Sequence, residues 1–278
     1  MDKPAGPTSH DVVARVRRAL KTRAVGHTGT LDPFATGLLV VLVGRATRLA
    51  RFVEAQPKTY LARARLGRRT ETDDPTGAVV GPVVERPDIP EAAVRDALAG
   101  FAGAQRQRPP SYSAKHVAGE RSYRLARRGQ AVPLPEAEVT VHGIELVEYR
   151  PPELAFRATV SAGTYLRALA RDLGERLGAG AHLTALRREA IGPLRVEDAV
   201  PLDRIGPDAV RPARFVLGHL PTVDLDDRTR ADVLHGRAVA AEGQESGTEV
   251  VLLAGGELIA VARATDGWLR PAVVLGAP

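Results

Sequence analysis

The 278-residue chain is 44% hydrophobic and 26% charged, with 39 Lys and Arg against 33 Asp and Glu, a net charge of +6 and no cysteine. Those values describe an ordinary globular composition, exclude disulfides and thiolate metal centres, and favour a polyanionic partner. No apolar run reaches the roughly 18 residues of a membrane span and no secretory signal opens the chain, so it reads as a cytoplasmic protein without membrane contact. Only Lys3, Lys21, Lys58 and Lys115 among the basic residues are lysines. Arginine forks phosphate and stacks on bases, although an arginine-rich codon usage would give the same bias.

In chain order, Thr8 and Ser9 can cap a helix over 10–22 whose Val12, Val13, Val16 and Leu20 share one stripe. A glycine-rich segment, Gly26 to Gly29, leads to Asp32-Pro33, and the apolar run 38–43 reads as a buried strand. A helix near 46–55 and a strand at 59–66 carrying Tyr60 follow. Residues 68–87 read as a hairpin or irregular excursion, where Glu71, Asp73 and Asp74 suit a solvated turn better than a metal site. Pro90-Glu91 opens a helix to about Phe101.

Residues 102–130 set seven cations, Arg106, Arg108, Lys115, Arg121, Arg124, Arg127 and Arg128, against the single acid Glu120, interleaved with Tyr112 and Tyr123. One-sided charge with aromatics is the footprint of a nucleic-acid-binding arm; a solvated loop is the alternative. Strands near 138–149 and 153–161, a helix over 164–177 and a strand from His182 to Ile191 come next, then short helical segments to about 218. From 222 the texture changes to strands at 249–254, 258–263 and 268–275 between glycine-rich turns, a small β module. The domain reading is 1–221 and 222–278, within an α+β fold.

Asp32 is the most informative residue. Asp before Pro is an ordinary helix cap with a proline at the first helical position. A lone acid on a rigid loop, with no metal-ligand cluster nearby, equally suits nucleophilic or general-base chemistry. The chain carries neither GxGxxG nor GxxxxGK[ST], so no nucleotide cofactor or ATP is expected.

The whole string Gly26-His27-Thr28-Gly29-Thr30-Leu31-Asp32-Pro33-Phe34-Ala35-Thr36-Gly37 resembles the catalytic signature of the TruB family, pseudouridine synthases that modify the T loop of transfer RNA. Asp2-Lys3-Pro4, Lys58-Thr59-Tyr60, Pro109-Pro110-Ser111-Tyr112-Ser113-Ala114, Gly163-Thr164-Tyr165-Leu166-Arg167 and Leu186-Arg187-Arg188 resemble further family segments, in the family's order. The resemblance implies a mixed, mostly antiparallel sheet flanked by helices, a PUA-like RNA-binding domain at the C-terminus, and isomerisation of tRNA uridine 55 without cofactor or metal. It implies Asp32, Tyr60 and Arg167 as catalytic residues. Arg167 would keep the acid ionised against desolvation, and Tyr60 would stack on an extruded uracil. His27 would fill the space left in the RNA, Leu186 would wall the base, and Gly26 and Gly29 would let backbone approach RNA. Lys3 and Tyr165 complete the implied substrate contacts, and the one-sided charge of the 102–130 segment adds Arg124, Arg127 and Arg128 as candidates. The T-arm stem-loop of tRNA is the expected partner, and a monomer the expected state. Family members usually carry a strand before Asp-Lys-Pro, so either the start of this chain is mis-assigned or its first strand is short. Alternatives are a guide-RNA-dependent rRNA synthase and a non-catalytic RNA-binding or remodelling protein.

Overall fold

The computed structural model describes residues 1–85, 87–110, 112, 116–117, 120–121 and 134–276. Its main sheet is built from β1 (Asp2–Lys3), β3 (Thr36–Leu38), β13 (Ala181–Ile191), β5 (Lys58–Leu66), β12 (Glu153–Val160), β11 (Ala137–Arg150) and β8 (Gly103–Gln107), in that spatial order, with β14 (Leu194–Arg195) on β13. Only the β3–β13 pair is parallel. The mixed, mostly antiparallel α+β reading therefore holds.

Central strand β5 shows why the site lies where it does. Lys58, Tyr60, Ala62, Ala64 and Leu66 alternate onto its buried face, while Arg63 stays in water on the other. The two alanines leave room for helix α4 (Leu166–Arg176), whose Leu169, Ala170 and Leu173 join the same core. Gly174 lets that helix close on β13, since a Cβ there would lie 2.2 Å from the Ala181 nitrogen.

Helix α1 (Ser9–Ala19) begins at a full capping box, with Thr8 and Asp11 satisfying each other's backbone N–H groups, and buries Val12, Val13 and Val16. Helices α2 (Ala50–Glu54) and α3 (Glu91–Ala99) follow where helices were expected, α2 preceded by a 3-10 turn over Gly44–Leu49. The apolar run 38–43 is not one strand. It divides at Leu39 into β3, in the main sheet, and β4 (Val40–Val43), which pairs with β2 (Val25–Thr28) in a separate ribbon. Continuous hydrophobicity hid the change of partner, because both halves are buried. The expected arm is also corrected at its start: residues 103–107 are β8, paired with β11, and Arg106 and Arg108 face Glu136 at 3.4 and 3.6 Å. Two-residue β1 is short and pairs with β3.

The C-terminal sheet runs β15 (Thr222–Asp224), β17 (Glu249–Ala254), β18 (Glu257–Thr265), β19 (Trp268–Val274), β16 (Val239–Ala240). Its period-two pattern serves two cores. Val250, Leu252, Ala260 and Ala262 pack with Val233 of helix α5 (Asp227–Leu234), while Val251, Val261 and Val273 pack with Leu49, Phe52 and Leu217. Helix α5 was absent from the sequence reading; its Asp226 cap accepts from Thr229 N, but its apolar stripe is too short to read.

Candidate active site

The segment after β2 is bolted down before it reaches Asp32. The Ser9 hydroxyl accepts from Leu31 N at 3.0 Å and donates to Leu31 O at 3.2 Å. No helix starts at Asp32: the chain makes a turn closed by Ala35 N donating to Asp32 O at 3.1 Å. The helix-cap reading of Asp32 is thereby overturned; Pro33 and Phe34 form the turn corner instead. Fully buried Lys3 lies beneath, its ammonium donating to the carbonyls of Pro4, Pro7 and Pro33 at 2.9, 2.8 and 3.3 Å. Burial holds its pKa down to about 8, with Arg188 adding to the fall and Asp32 opposing it.

The Asp32 carboxylate opens into a cavity of about 420 Å³ bordered by His27, Lys58, Tyr60, Tyr165, Leu186 and Arg188. Arg167, second residue of α4 and 4% exposed, reaches it from the far side. Its Nη2 donates to Oδ1 at 3.2 Å, and Nε lies 2.9 Å from Oδ2 without hydrogen-bond alignment. The guanidinium also donates to Thr72 O at 3.0 Å and Tyr112 O at 2.9 Å, and stands 3.5 Å from Asp74 Oδ2. Burial pushes the Asp32 pKa up and Arg167 pulls it back; Asp74 adds to the push and Lys3 to the pull. The result is an acid whose ionisation burial opposes and Arg167 favours.

Asp74 is itself a mounted group. Its Oδ1 accepts from Thr72 Oγ1, Thr76 Oγ1 and Thr76 N at 2.6, 2.6 and 2.9 Å, leaving Oδ2 toward Arg167. Its neighbour Asp73 meets Arg171, one turn beyond Arg167, at 3.3 Å. Burial pushes Asp73 up to about 6, against Arg171 and Arg167. The reading of these acids as a solvated turn is therefore wrong for Asp73 and Asp74, which are 8% and 5% exposed. Turn residues gave the turn, but only tertiary structure reveals that it faces two arginines.

Tyr60 enters from β5 at the register position facing Arg188 of β13, and the Arg188 guanidinium carbon lies 6.0 Å from its ring centroid. Leu186, 7% exposed, faces Ala62 on the same strand pair and borders the cavity. Tyr165 stands at the N-cap of α4, its backbone N and O exchanging hydrogen bonds with the Gln107 amide at 2.9 and 3.1 Å. His27 is half-buried, edge-on to His10 with ring centroids 5.5 Å apart. Burial lowers its pKa, and His10 and Arg188 push the same way.

The model of the TruB family pseudouridylate synthase N-terminal domain matches residues 17–166. The chain belongs to the TruB family. The tRNA pseudouridylate synthase B C-terminal domain matches residues 167–210 of this TruB-family chain. It is 46% identical over 286 residues to a tRNA pseudouridine synthase B of Thermobifida fusca (strain YX), covering 99% of this chain and 96% of that one. A Burkholderia mallei (strain NCTC 10247) tRNA pseudouridine synthase B is 42% identical over 295 residues, covering 100% and 96%. Among solved structures, an H/ACA ribonucleoprotein bound to a substrate RNA containing 2′-deoxyuridine superposes with a TM-score of 0.77 at 26% identity, covering 99% and 84%. An archaeal box H/ACA Nop10–Cbf5 complex gives 0.73 at 27% identity, covering 98% and 84%.

Within this TruB fold, the sequence-derived residues divide into those at the cavity and those elsewhere. Asp32, Tyr60, Arg167, His27, Tyr165, Leu186 and Gly29 border it or point at it. His27 does so from strand β2 rather than from a loop. Lys3 does not face the cavity; its hydrogen bonds hold the chain under the Asp32 turn. Gly26 has ordinary strand geometry with room for a side chain, the nearest atom to an added Cβ being Thr47 Cγ2 at 3.9 Å. The close approach falls at Gly37 (φ +102), where a Cβ would meet Arg188 O at 2.3 Å. Arg124, Arg127 and Arg128 lie outside the described residues. Asp74, Lys58 and Arg188 were not singled out from sequence. For Lys58 and Arg188 a signal existed: a cation in phase with the apolar positions of a buried strand.

Proposed function

We propose that this chain isomerises uridine 55 in the T loop of tRNA to pseudouridine. The observation that carries the reading is the Asp32–Arg167 contact at 2.9 Å inside a cavity walled by Tyr60 and Leu186. An RNA-binding surface alone has no use for an acid whose ionisation burial opposes and an arginine sustains. The target base leaves its stack, at a cost of a few kcal/mol, and stacking on the Tyr60 ring returns about 1–3 kcal/mol. Leu186 closes the apolar side. Asp32 acts as the ionised carboxylate while the N1–C1′ bond breaks, the uracil turns and C5 bonds to C1′. The proton lost from C5 is matched by one gained at N1, so the atoms balance without a cofactor. The Tyr60 hydroxyl is a relay for the C5 proton, which a phenylalanine could not provide. His27 fills the gap left in the RNA loop, beside Gly29.

Residues 1–221 form the catalytic domain in this reading and 222–278 a PUA-like RNA-binding domain. The basic segment beyond β8, including Arg124, Arg127 and Arg128, contacts the T arm. The enzyme works as a cytoplasmic monomer. Among the described residues no helix is long and apolar enough to cross a membrane. The test is Asp32→Asn with a T-arm stem-loop tritiated at uridine C5: release of tritium should vanish while binding persists. Normal turnover by that variant would remove Asp32 from the mechanism. The resemblance to solved H/ACA particles favours a second reading, guide-dependent modification of rRNA. Turnover of an isolated stem-loop by the purified chain separates the two.

A further inference from the structure

Two buried cations border the cavity at the end away from Asp74. Lys58 is 7% exposed and Arg188 1%. Among the described residues neither meets a carboxylate within ion-pairing distance; backbone oxygens hold both. Lys58 Nζ donates to Glu54 O at 2.5 Å and Gln56 O at 2.7 Å. Arg188 Nε donates to Leu38 O at 2.7 Å and Nη2 to Gly29 O at 2.9 Å. Burial lowers the Lys58 pKa to about 8, and the charge of Arg188 lowers it further than exposed Glu54 restores it.

Two like charges taken out of water side by side are costly unless an anion joins them. The acids at the other end cannot serve, since Asp32 and Asp74 share Arg167. Gly29 (φ +73) lies against the pair: a Cβ there would be in van der Waals contact with Arg188 Nη1 at 3.4 Å and Lys58 Cε at 4.0 Å. Both side chains border the cavity, as does the Tyr60 ring, 6.0 Å from the Arg188 guanidinium carbon. A nucleotide extruded from RNA carries a phosphate on each side, and charge-assisted hydrogen bonds from buried cations suit a phosphate oxygen.

We propose that Lys58 and Arg188, beneath Gly29, form a subsite for a backbone phosphate adjoining the flipped nucleotide. The proposal rests on reading this cavity as the flipped uridine's pocket. It gives the pair a part in extrusion: the base is held by its ring at Tyr60 and by its backbone at Lys58 and Arg188.

The experiment measures binding of wild type and Lys58→Gln to T-arm stem-loops in which one phosphate is replaced by a neutral methylphosphonate. The replacement is made on either side of the target uridine, or at a control linkage in the stem. Wild type should lose about tenfold in affinity for one of the two flanking replacements, as expected for one charged hydrogen bond. Lys58→Gln should lose about tenfold on the unmodified RNA and nothing further on that replacement, with the losses additive at the control linkage. Its salt slope should flatten by about one. Wild type binding both flanking replacements as tightly as the unmodified RNA would overturn the subsite without reference to any variant. So would a Lys58→Gln loss equal on every RNA. Wild-type turnover of the unmodified stem-loop is scored separately: its failure counts against the proposed function, whereas turnover without a flanking-phosphate effect counts against the subsite alone.

Discussion

Replacing Arg167 by methionine keeps an unbranched apolar stem, shortens the side chain and removes its charge. With Arg167 nitrogens 2.9 and 3.2 Å from the two Asp32 oxygens, the charge centres are about 4 Å apart. At an effective dielectric constant near 20 their attraction is about 4 kcal/mol, all of it favouring the ionised acid. Asp32 keeps 33% of its side chain exposed toward the cavity, so a lower dielectric constant has no warrant. Burial already raises the Asp32 pKa, and the variant loses the main force opposing that rise. The rising limb of the pH–rate profile should therefore move toward alkaline pH. At neutral pH the rate should fall, with recovery as pH rises. Single-turnover tritium release from uridine C5, followed across pH, reads the limb directly. Arg167→Lys retains the charge, so its limb should move far less. A methionine variant slowed equally at every pH would refute the electrostatic role and leave only a structural one.

Tyr60→Phe should bind the stem-loop nearly as tightly as wild type yet release C5 tritium slowly, whereas Tyr60→Ala should also lose about 1–3 kcal/mol of binding; filter binding beside tritium release separates the two. Gly37→Ala should unfold at markedly lower denaturant concentration, because its Cβ would lie 2.3 Å from Arg188 O in a left-handed backbone position; an unchanged midpoint would mean that β13 can retreat. Asp73 ionises near pH 6 in the fold and near 3.8 when unfolded. Because the folded pKa is the higher one, its contribution to stability is complete below about pH 4 and is lost as pH rises through 6. Denaturant midpoints of Asp73→Asn measured from pH 4 to 7 should fall less across that window than those of wild type.

The sequence made the long, strongly periodic elements plain: α1, β5, β11, β12, α4 and β13 lie within a few residues of their expected bounds. Each has a continuous apolar stripe and clear turn residues at its ends. What escaped was decided by tertiary partners. The split at Leu39 carries no local mark, because Leu38, Val40 and Leu42 share one buried cluster while their strands pair with different partners. Asp74 looked like turn chemistry, and it is in a turn; its distinction is the guanidinium 3.5 Å away, contributed by a residue far along the chain. Asp32, Tyr60 and Arg167 were legible through family resemblance. On pattern alone Asp32 read as a cap, a reading that the turn at Ala35 replaces.

The mount of the Asp32 turn also fixes when the site can exist. The turn belongs to the first part of the chain to be synthesised, but its partners come late. Arg167 is 135 positions downstream of Asp32, Arg188 is 159 beyond Gly29, and Arg187, which clamps Asp2 through two hydrogen bonds of 3.1 and 2.8 Å, is 185 beyond it. Contacts so distant in sequence form only after a long loop closes. A nascent chain therefore carries Asp32 without its guanidinium partner until Arg167 on α4 has been made, and lacks Arg188 until β13 follows. Until that strand docks beside β3, the growing polypeptide carries the Asp32 turn without the cavity wall that Leu186 and Arg188 supply.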